Sequence, residues 1–299
     1  MAKVSIVIPT HNRAELLERA VESAKAAGAA AEIVVVDDAS TDKTFELWSR
    51  VEGITYLRLL KNAGLSFARN AGINSCSSEY IAFLDDDDLR LPDSLTAQVR
   101  ALDANPDAVL CYGRCLIGDA RRQLPTGEIV PNLIISGDIF WDLLESNFIP
   151  MPTVVARRTA LIQHGLFNTR LTEVEDWDMW LRLSEHGPVV AVDSAVAIYR
   201  QADAQSEQMS RDITRILKTQ LSVQANALNL PRAQAASSAR RRKVRRRLIA
   251  NAHRTMVQCA TRALADGDVK NARQKMREAF NLRPFRTLLS GHSWVLRAG

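Results

Sequence analysis

Residues 80–88 read Tyr80-Ile81-Ala82-Phe83-Leu84-Asp85-Asp86-Asp87-Asp88, an apolar run followed at once by four carboxylates. The apolar half is short and unbroken by polar residues, as expected of a strand covered on both faces. The acidic half then emerges at the carboxyl end of that strand. Four carboxylates there repel one another unless something positive arrives. Hard divalent cations such as Mg²⁺ prefer carboxylate and phosphate oxygens, and usually take one or two protein carboxylates while keeping waters and substrate phosphates. The run therefore points to a metal that bridges protein and a diphosphate, with a solvated acidic turn as the plain alternative. Its place behind a buried strand favours the first reading, because ligand sites in open α/β sheets gather at strand carboxyl ends.

Upstream, the residues supply the α/β context. The stretches 3–9 (KVSIVIP) and 32–36 (EIVVV) are β-branched and nearly continuous in apolar character, which predicts buried strands. Between them Leu16, Leu17, Ala20, Val21 and Ala24 recur at helical spacing up to Gly28, completing a strand–helix–strand unit. The alternation continues with a helix over 41–50, a strand over 55–59, a helix over 65–76 and the strand at 80–84. It predicts an α/β fold with a mostly parallel sheet. The strand ends are polar: Pro9, Thr10, His11 and Asn12 after the first, Asp37 and Asp38 after the second, and the acidic run after the fourth. All three should lie along one sheet edge. Ser40 and Thr41 read as helix caps, with Asp42 favouring the helix dipole. Paired acids behind a buried strand suit hydrogen bonding to a ribose or base edge.

In order, 4–13 (VSIVIPTHNR), 32–42 (EIVVVDDASTD), 61–73 (KNAGLSFARNAGI) and 80–95 (YIAFLDDDDLRLPDSL) resemble the inverting family 2 glycosyltransferases of the GT-A fold, over residues 3 to about 200. The joint order and spacing carry the resemblance. No glycine-rich G-x-G-x-x-G follows the first strand, which disfavours a dinucleotide oxidoreductase. The resemblance implies that Pro9 and His11 lie beside a nucleotide base, with Asp38 and its neighbour Asp37 on the base's polar edge. It implies that Arg69 reaches the base or diphosphate. Asp85-Asp86-Asp87 corresponds to the family's D-x-D element, with Asp85 and Asp86 at the nucleotide-sugar, Asp87 the leading metal ligand and Asp85 a second. The implied cofactor is Mg²⁺ or Mn²⁺, and the implied donor a nucleotide-diphospho-sugar, foremost a UDP-sugar.

A second element is 172–183 (TEVEDWDMWLRL), where Trp177, Trp180, Leu181 and Ser184 face one way and Glu175 and Asp176 stand at the helix start. The helix dipole keeps a carboxylate there ionised and competent to accept a proton; capping plus a surface pair explains the spacing equally well. In the resembled family an acidic pair before an aromatic-rich helix bears the general base, which implies Asp176, with Glu175 second. Residues 125–151 are rich in turn formers. Phe140 and Trp141 read as core, and Met151-Pro152-Thr153 resembles the segment lining the acceptor side. Many members of the family show a histidine shortly beyond Tyr-Arg after the late strand 189–199. Here Tyr199-Arg200-Gln201-Ala202-Asp203 has none, so Asp203 or a water substitutes, or metal binding rests on Asp87 and the diphosphate.

The overall charge of +5 conceals two unlike parts. Residues 1–210 hold 19 basic against 30 acidic side chains, a net of −11, and residues 211–299 hold 20 against 4, a net of +16. This divides the chain into a catalytic domain over 1–210 and a basic helical appendage over 211–299. Within the appendage 240–247 (RRRKVRRR) reads as a patch for an anionic membrane surface or as a solvated helix face. A nucleic-acid module is disfavoured by the scarcity of aromatics and the absence of zinc-ligand spacing. Residues 263–284 resemble a single tetratricopeptide-like helical hairpin around Asp266-Gly267-Asp268, and breaks fall at Leu230-Pro231 and Ser237-Ser238. No apolar run approaches about 20 residues, and the first strand starts at once, so neither a spanning helix nor a secretion signal is expected. The expected location is cytoplasmic, or peripheral at the inner face of the plasma membrane. Cys76, Cys111, Cys115 and Cys259 are dispersed and read as reduced thiols, with neither zinc nor disulfides expected. The expected function is metal-dependent inverting transfer of a sugar to a glycan or lipid-linked acceptor hydroxyl. The competing readings are a nucleotide-sugar binder without transfer, or a nucleotidyltransferase, although PTHNRAELL is not the glycine-rich basic loop the latter needs.

Overall fold

The computed structural model describes residues 2–119, 124–201 and 213–283. The chain divides into two compact units, Met1–Gln208 and Met209–Gly299. In the first unit β1 (Val4–Thr10) leads to α1 (Ala14–Ala26), β2 (Glu32–Asp37), α2 (Thr44–Trp48), β3 (Thr55–Arg58), α3 (Leu65–Ser75) and β4 (Tyr80–Phe83). Then come β5 (Leu89–Arg90), α4 (Ser94–Asp103), β6 (Leu110–Gly118), β7 (Pro125–Val130), α5 (Phe140–Glu145) and a 3-10 turn at Met151–Thr153. β8 (Val155–Arg157), α6 (Arg158–Gln163), α7 (Glu175–His186) and β9 (Val189–Arg200) complete it.

The strands form a single sheet in the order β3-β2-β1-β4-β8-β6-β9-β5, with β7 beside β6. The half β3-β2-β1-β4 is parallel, as its helical crossovers require. In the other half β6 and β9 are parallel, while β8, β5 and β7 run antiparallel to their neighbours. Every residue of β1 and β4 is buried, matching the continuous apolar runs seen in the sequence. Because β1, β2 and β4 share one direction and lie side by side, Thr10, Asp37 and the acidic run emerge along one edge.

One boundary departs from the periodicity, that of α2, and one falls as expected, that of α7. α2 begins at Thr44 rather than Thr41, because the Asn12 Oδ1 accepts the Thr41 N–H at 2.7 Å and Asp42 Oδ1 accepts the Thr44 N–H at 2.9 Å, holding 41–43 as a turn. α7 begins at Glu175, with Val174 at φ 56° immediately before it. Phe140 is fully buried, but Trp141 is only partly so, standing edge-on to Phe140 with ring centroids 5.4 Å apart. That corrects the expectation of two core aromatics.

In the second unit α8 (Ile213–Ala227), α9 (Pro231–Ala235), α10 (Ser238–Ala265) and α11 (Val269–Leu282) follow in order, with α9 and α10 starting at the two anticipated breaks. Asp268 caps α11 by accepting the Asn271 N–H at 3.0 Å, and Gly267 turns the chain at φ 77°. α10, at 28 residues, is much longer than a helix of a single hairpin repeat requires. Leu217, Met256, Ala260, Met276 and Ala279 form the core of this unit. No helix among the described residues is long and apolar enough to cross a membrane.

Candidate active site

Each acid of the run is held by a neighbour from a different element. Asp86 Oδ2 accepts from the Thr10 hydroxyl at 2.7 Å, and its Oδ1 from Arg13 Nη1 at 3.0 Å. Arg13 also meets Asp87 Oδ2 at 3.1 Å, and Arg200 Nη2 reaches the same oxygen at 2.7 Å. The Arg200 backbone N–H donates to Asp88 Oδ1 at 2.8 Å. Asp85 Oδ1 accepts from Arg69 Nη2 at 2.6 Å, while Arg69 Nη1 donates to Glu175 Oε1 at 2.8 Å. The end of β4 is thereby tied to β1, β9, α3 and α7.

Packing explains why α7 arrives at the right place. Its Trp180 is buried against Phe83, the last residue of β4, with ring centroids 6.0 Å apart, and Phe167 stands edge-on to Phe83 at 5.3 Å. Trp177 is buried as well and donates its indole N–H to the Leu143 carbonyl at 2.7 Å. With this apolar face fixed, the helix start and its acids lie over the strand end. Asp176 is half-buried; its Oδ2 accepts from Asn147 Nδ2 at 3.2 Å and its Oδ1 from the Trp177 N–H at 2.6 Å.

The electrostatics follow from burial of so many acids. Desolvation, with Asp87 adding repulsion, raises Asp86 to about 6 even though Arg13 and Thr10 favour its charged form. Asp88 is pushed well above the carboxylate range by burial and by Asp87 and Asp85. Burial and the adjacent Glu175 raise Asp176 to about 6. Burial by itself would lower the Arg69 guanidinium, but Asp85 and Glu175 outweigh it and hold that pKa above its ordinary value. Tyr199, 39% exposed, has its phenol raised first by burial and then by Asp88, Asp85, Asp87 and Asp176.

The remaining sequence-picked residues occupy more structural roles. Pro9 lies within β1, and His11 Nδ1 is 2.8 Å from the Asp38 carbonyl oxygen. Asp37 is fully buried, accepting from the Tyr56 hydroxyl at 2.7 Å and the Ser40 N–H at 2.7 Å. Asp38 holds the loop before α3, accepting from the Ala63 and Gly64 N–H groups at 2.7 and 2.8 Å. Arg69 is 2% exposed and occupied by two carboxylates, so its observed role is to join α3, the acidic run and α7. Asp203 lies outside the described residues. Sequence reasoning named Thr10 only as one of the polar residues ending the first strand, and did not single out Arg13 or Asn147. A lone residue beside a motif has no periodic or spacing signal, and only the fold shows that Thr10 and Arg13 meet Asp86 and that Asn147 meets Asp176.

For a metal ion, the donor chemistry is favourable. Asp88 Oδ2 is buried with no hydrogen-bond partner, and the run offers only hard oxygen donors. Among the described residues no three His, Cys, Asp or Glu side chains form a ready ligand set. The site thus suits an ion bound by one or two carboxylates, and Arg13 and Arg200 both pair with Asp87.

A parallel α/β half-sheet with acids converging at its carboxyl edge has its candidate site where open α/β sheets bind ligands. The Glycosyl transferase family 2 sequence model matches residues 5–165, and the chain belongs to that family. An uncharacterised glycosyltransferase of Rickettsia felis is 31% identical over 201 residues, 66% of this chain and 33% of that protein. The chain thus spans about a third of the length of this relative. The succinoglycan biosynthesis protein ExoU of Rhizobium meliloti is 27% identical over 265 residues, covering 82% of this chain and 76% of its own. Staphylococcus aureus TarS 1–349, solved with UDP-GlcNAc, superposes with a TM-score of 0.64 at 17% identity, over 95% of this chain and 82% of that one. The mannosyltransferase PcManGT of Pyrobaculum calidifontis, solved with GDP-Man and Mn²⁺, gives 0.58 at 18%, over 98% and 85%. These likenesses show the GT-A fold.

Proposed function

We propose that the chain transfers a sugar from a nucleotide-diphospho-sugar to an acceptor hydroxyl, with inversion at the anomeric carbon, in the assembly of a cell-surface glycan. The observation that supports this reading is the continuous link Asp85–Arg69–Glu175, which ties the first turn of α7, where Asp176 also stands, to the acidic run. Asp176, raised to about 6, is half-buried and poised near the pH at which a general base works best. It takes the proton of the acceptor hydroxyl as that oxygen bonds to the anomeric carbon. The bond from that carbon to the diphosphate oxygen breaks on the opposite face, its electron pair leaving with the nucleoside diphosphate through an oxocarbenium-like transition state.

Asp87, with Asp85 or Asp88 beside it, would hold a Mg²⁺ or Mn²⁺ ion. Such an ion, when bound, supplies charge neutralisation that makes the diphosphate a better leaving group. Arg13 and Arg200, which sit on Asp87 at 3.1 and 2.7 Å, orient that carboxylate. Pro9, His11, Asp37 and Asp38 border the nucleotide side, and the buried turn Met151–Thr153 borders the acceptor side. Both TarS and PcManGT were solved with nucleotide-sugars, which supports a donor of this class, with a UDP-sugar first. The family's polysaccharide relatives support a glycan or lipid-linked acceptor.

The test is nucleotide release from a panel of donors, with Mn²⁺ or with EDTA, for the native chain and for Asp176→Asn. Asp176→Asn should lower turnover by about 10²–10⁴-fold with donor affinity retained, and EDTA should abolish release reversibly. Turnover of the Asn variant within threefold of native, at about the precision of such assays, removes Asp176 from the base role. Release that EDTA leaves untouched removes the metal.

A further inference from the structure

The second unit carries a surface for which glycosyl transfer has no use. The stripe Val244, Leu248, Ala252, Met256 and Ala260 of α10 is buried within the unit, and on its exposed side stand Arg242, Lys243 and Arg246. With Arg247 and with Arg283, just past the end of α11, they line an open groove of about 610 Å³ floored by Ala239 and Ala250. No acidic side chain lines it, and the unit's Glu278 is taken by Lys218 at 2.8 Å. Positions 239, 243, 246 and 250 fall on a single helical stripe, so Lys243 and Arg246 stand side by side along the groove between two small alanines, with Arg242 and Arg247 lining it as well. Like charges three and four residues apart repel along a helix, and an anion seated among them removes that repulsion.

The kind of anion follows from what the groove lacks. Among the described residues no Phe, Trp or Tyr occurs on α10 and none lines the groove, so the groove itself offers no ring of that kind on which nucleic-acid bases could stack. The apolar stripe of α10 is already buried, so the helix has no apolar face to insert into lipid. What remains is a broad, shallow cationic surface of the kind that is drawn to anionic headgroups by charge alone. We infer that this groove docks the chain on an anionic membrane surface, receiving lipid phosphate headgroups among Arg242, Lys243 and Arg246. The site is built entirely from the second unit and does not depend on the transfer reading.

The experiment is sedimentation of the full chain with phosphatidylcholine vesicles, with or without phosphatidylglycerol. The chain should sediment only with the anionic vesicles and should be released by rising salt. The combined change Arg242→Gln, Lys243→Gln and Arg246→Gln should weaken partitioning about a hundredfold, at roughly fivefold per charge. Nucleotide release in vesicle-free buffer should stay at the native level, which separates failure here from failure of the transfer reading. Arg262→Gln, on the same helix outside the groove, should leave partitioning unchanged, and unchanged helical circular dichroism checks folding. Equal sedimentation with neutral vesicles, no sedimentation at all, or an equal loss from Arg262→Gln overturns the inference. So does release by inorganic phosphate at matched ionic strength, or RNA binding that anionic vesicles do not compete away.

Discussion

Arg69 is the residue on which the candidate site turns. A guanidinium 2% exposed between Asp85 and Glu175 balances two partly buried acids. Replacing it with methionine keeps volume but leaves both acids without their cation, and removing one partner of a buried pair typically costs about 3–5 kcal/mol. Arg69→Met should therefore lower stability by that amount in a urea titration, and should reduce turnover more than donor affinity because α7 loses its tie to β4. At Asp176 the prediction concerns pH. Unfolded, this acid loses its proton near pH 4, and folded it does so at about 6. Between those values the folded state binds more protons, so the group's contribution to stability falls as pH rises from about 4 to 6 and stays low above. Asp176→Asn should then be more stable than the native chain at pH 7, by about 1–2 kcal/mol, and that gain should shrink at pH 4. The kcat/KM profile of the native enzyme should lose activity below about pH 6 as the base protonates. Urea titrations at the two pH values and a pH–rate profile test these two readings separately. Asp85, Asp86, Asp87 and the Glu175-Asp176 pair were legible in the sequence because acids clustered at a strand or helix end are conspicuous. Thr10 was legible as a polar strand end but not as the partner of Asp86, and Arg13 and Asn147 were not legible at all, since each is an ordinary polar residue until folding aims it.

At the scale of elements, the approach of α3 to the sheet is fixed by Gly72. A Cβ added there would run into Val7 Cγ1 of β1 and lie 3.2 Å from Val36 Cγ2 of β2. Gly72→Ala would have to push α3 off two buried strands, an overpacking that costs about 1–3 kcal/mol. Because α3 carries Arg69, the same shift should loosen the salt bridges to Asp85 and Glu175. The expected result is a lower denaturation midpoint together with weaker donor binding, whereas a Gly→Ala change in a free helix would stabilise it. The strands of the first half were legible because β-branched apolar runs have one reading when helices separate them. The antiparallel placements of β8, β5 and β7 were not legible, because short strands of two to six residues carry too little pattern to name their neighbours. α2 began late because of a contact remote in sequence: Asn12 accepts from the Thr41 and Asp42 N–H groups and holds them in a turn.

At the scale of the whole molecule, the chain divides after residue 208 into two compact units, and the main apolar cluster draws only on residues of the first. A chain cut after Gln208 should therefore retain nucleotide-sugar binding. The measurement is a thermal shift on adding donor and Mn²⁺, which a bound ligand raises in proportion to the logarithm of its concentration. Loss of that shift in a cut chain that still melts cooperatively would show that the second unit completes the site. The contrast between −11 and +16 net charge was visible in composition, yet composition could not tell a helix ringed by cations from a groove lined by them. By itself the sequence determined the α/β alternation, the edge at which polar strand ends collect and the acids offered there. These follow from local periodicity and from the cost of burying polar groups, which act over a few residues. Only the tertiary structure decided that Trp180 would seat α7 on Phe83, that Arg69 would join Asp85 to Glu175, and that Arg13 and Arg200 would share Asp87. Those pairings link residues from 16 to 113 positions apart on different elements, and only tertiary packing brings such elements together.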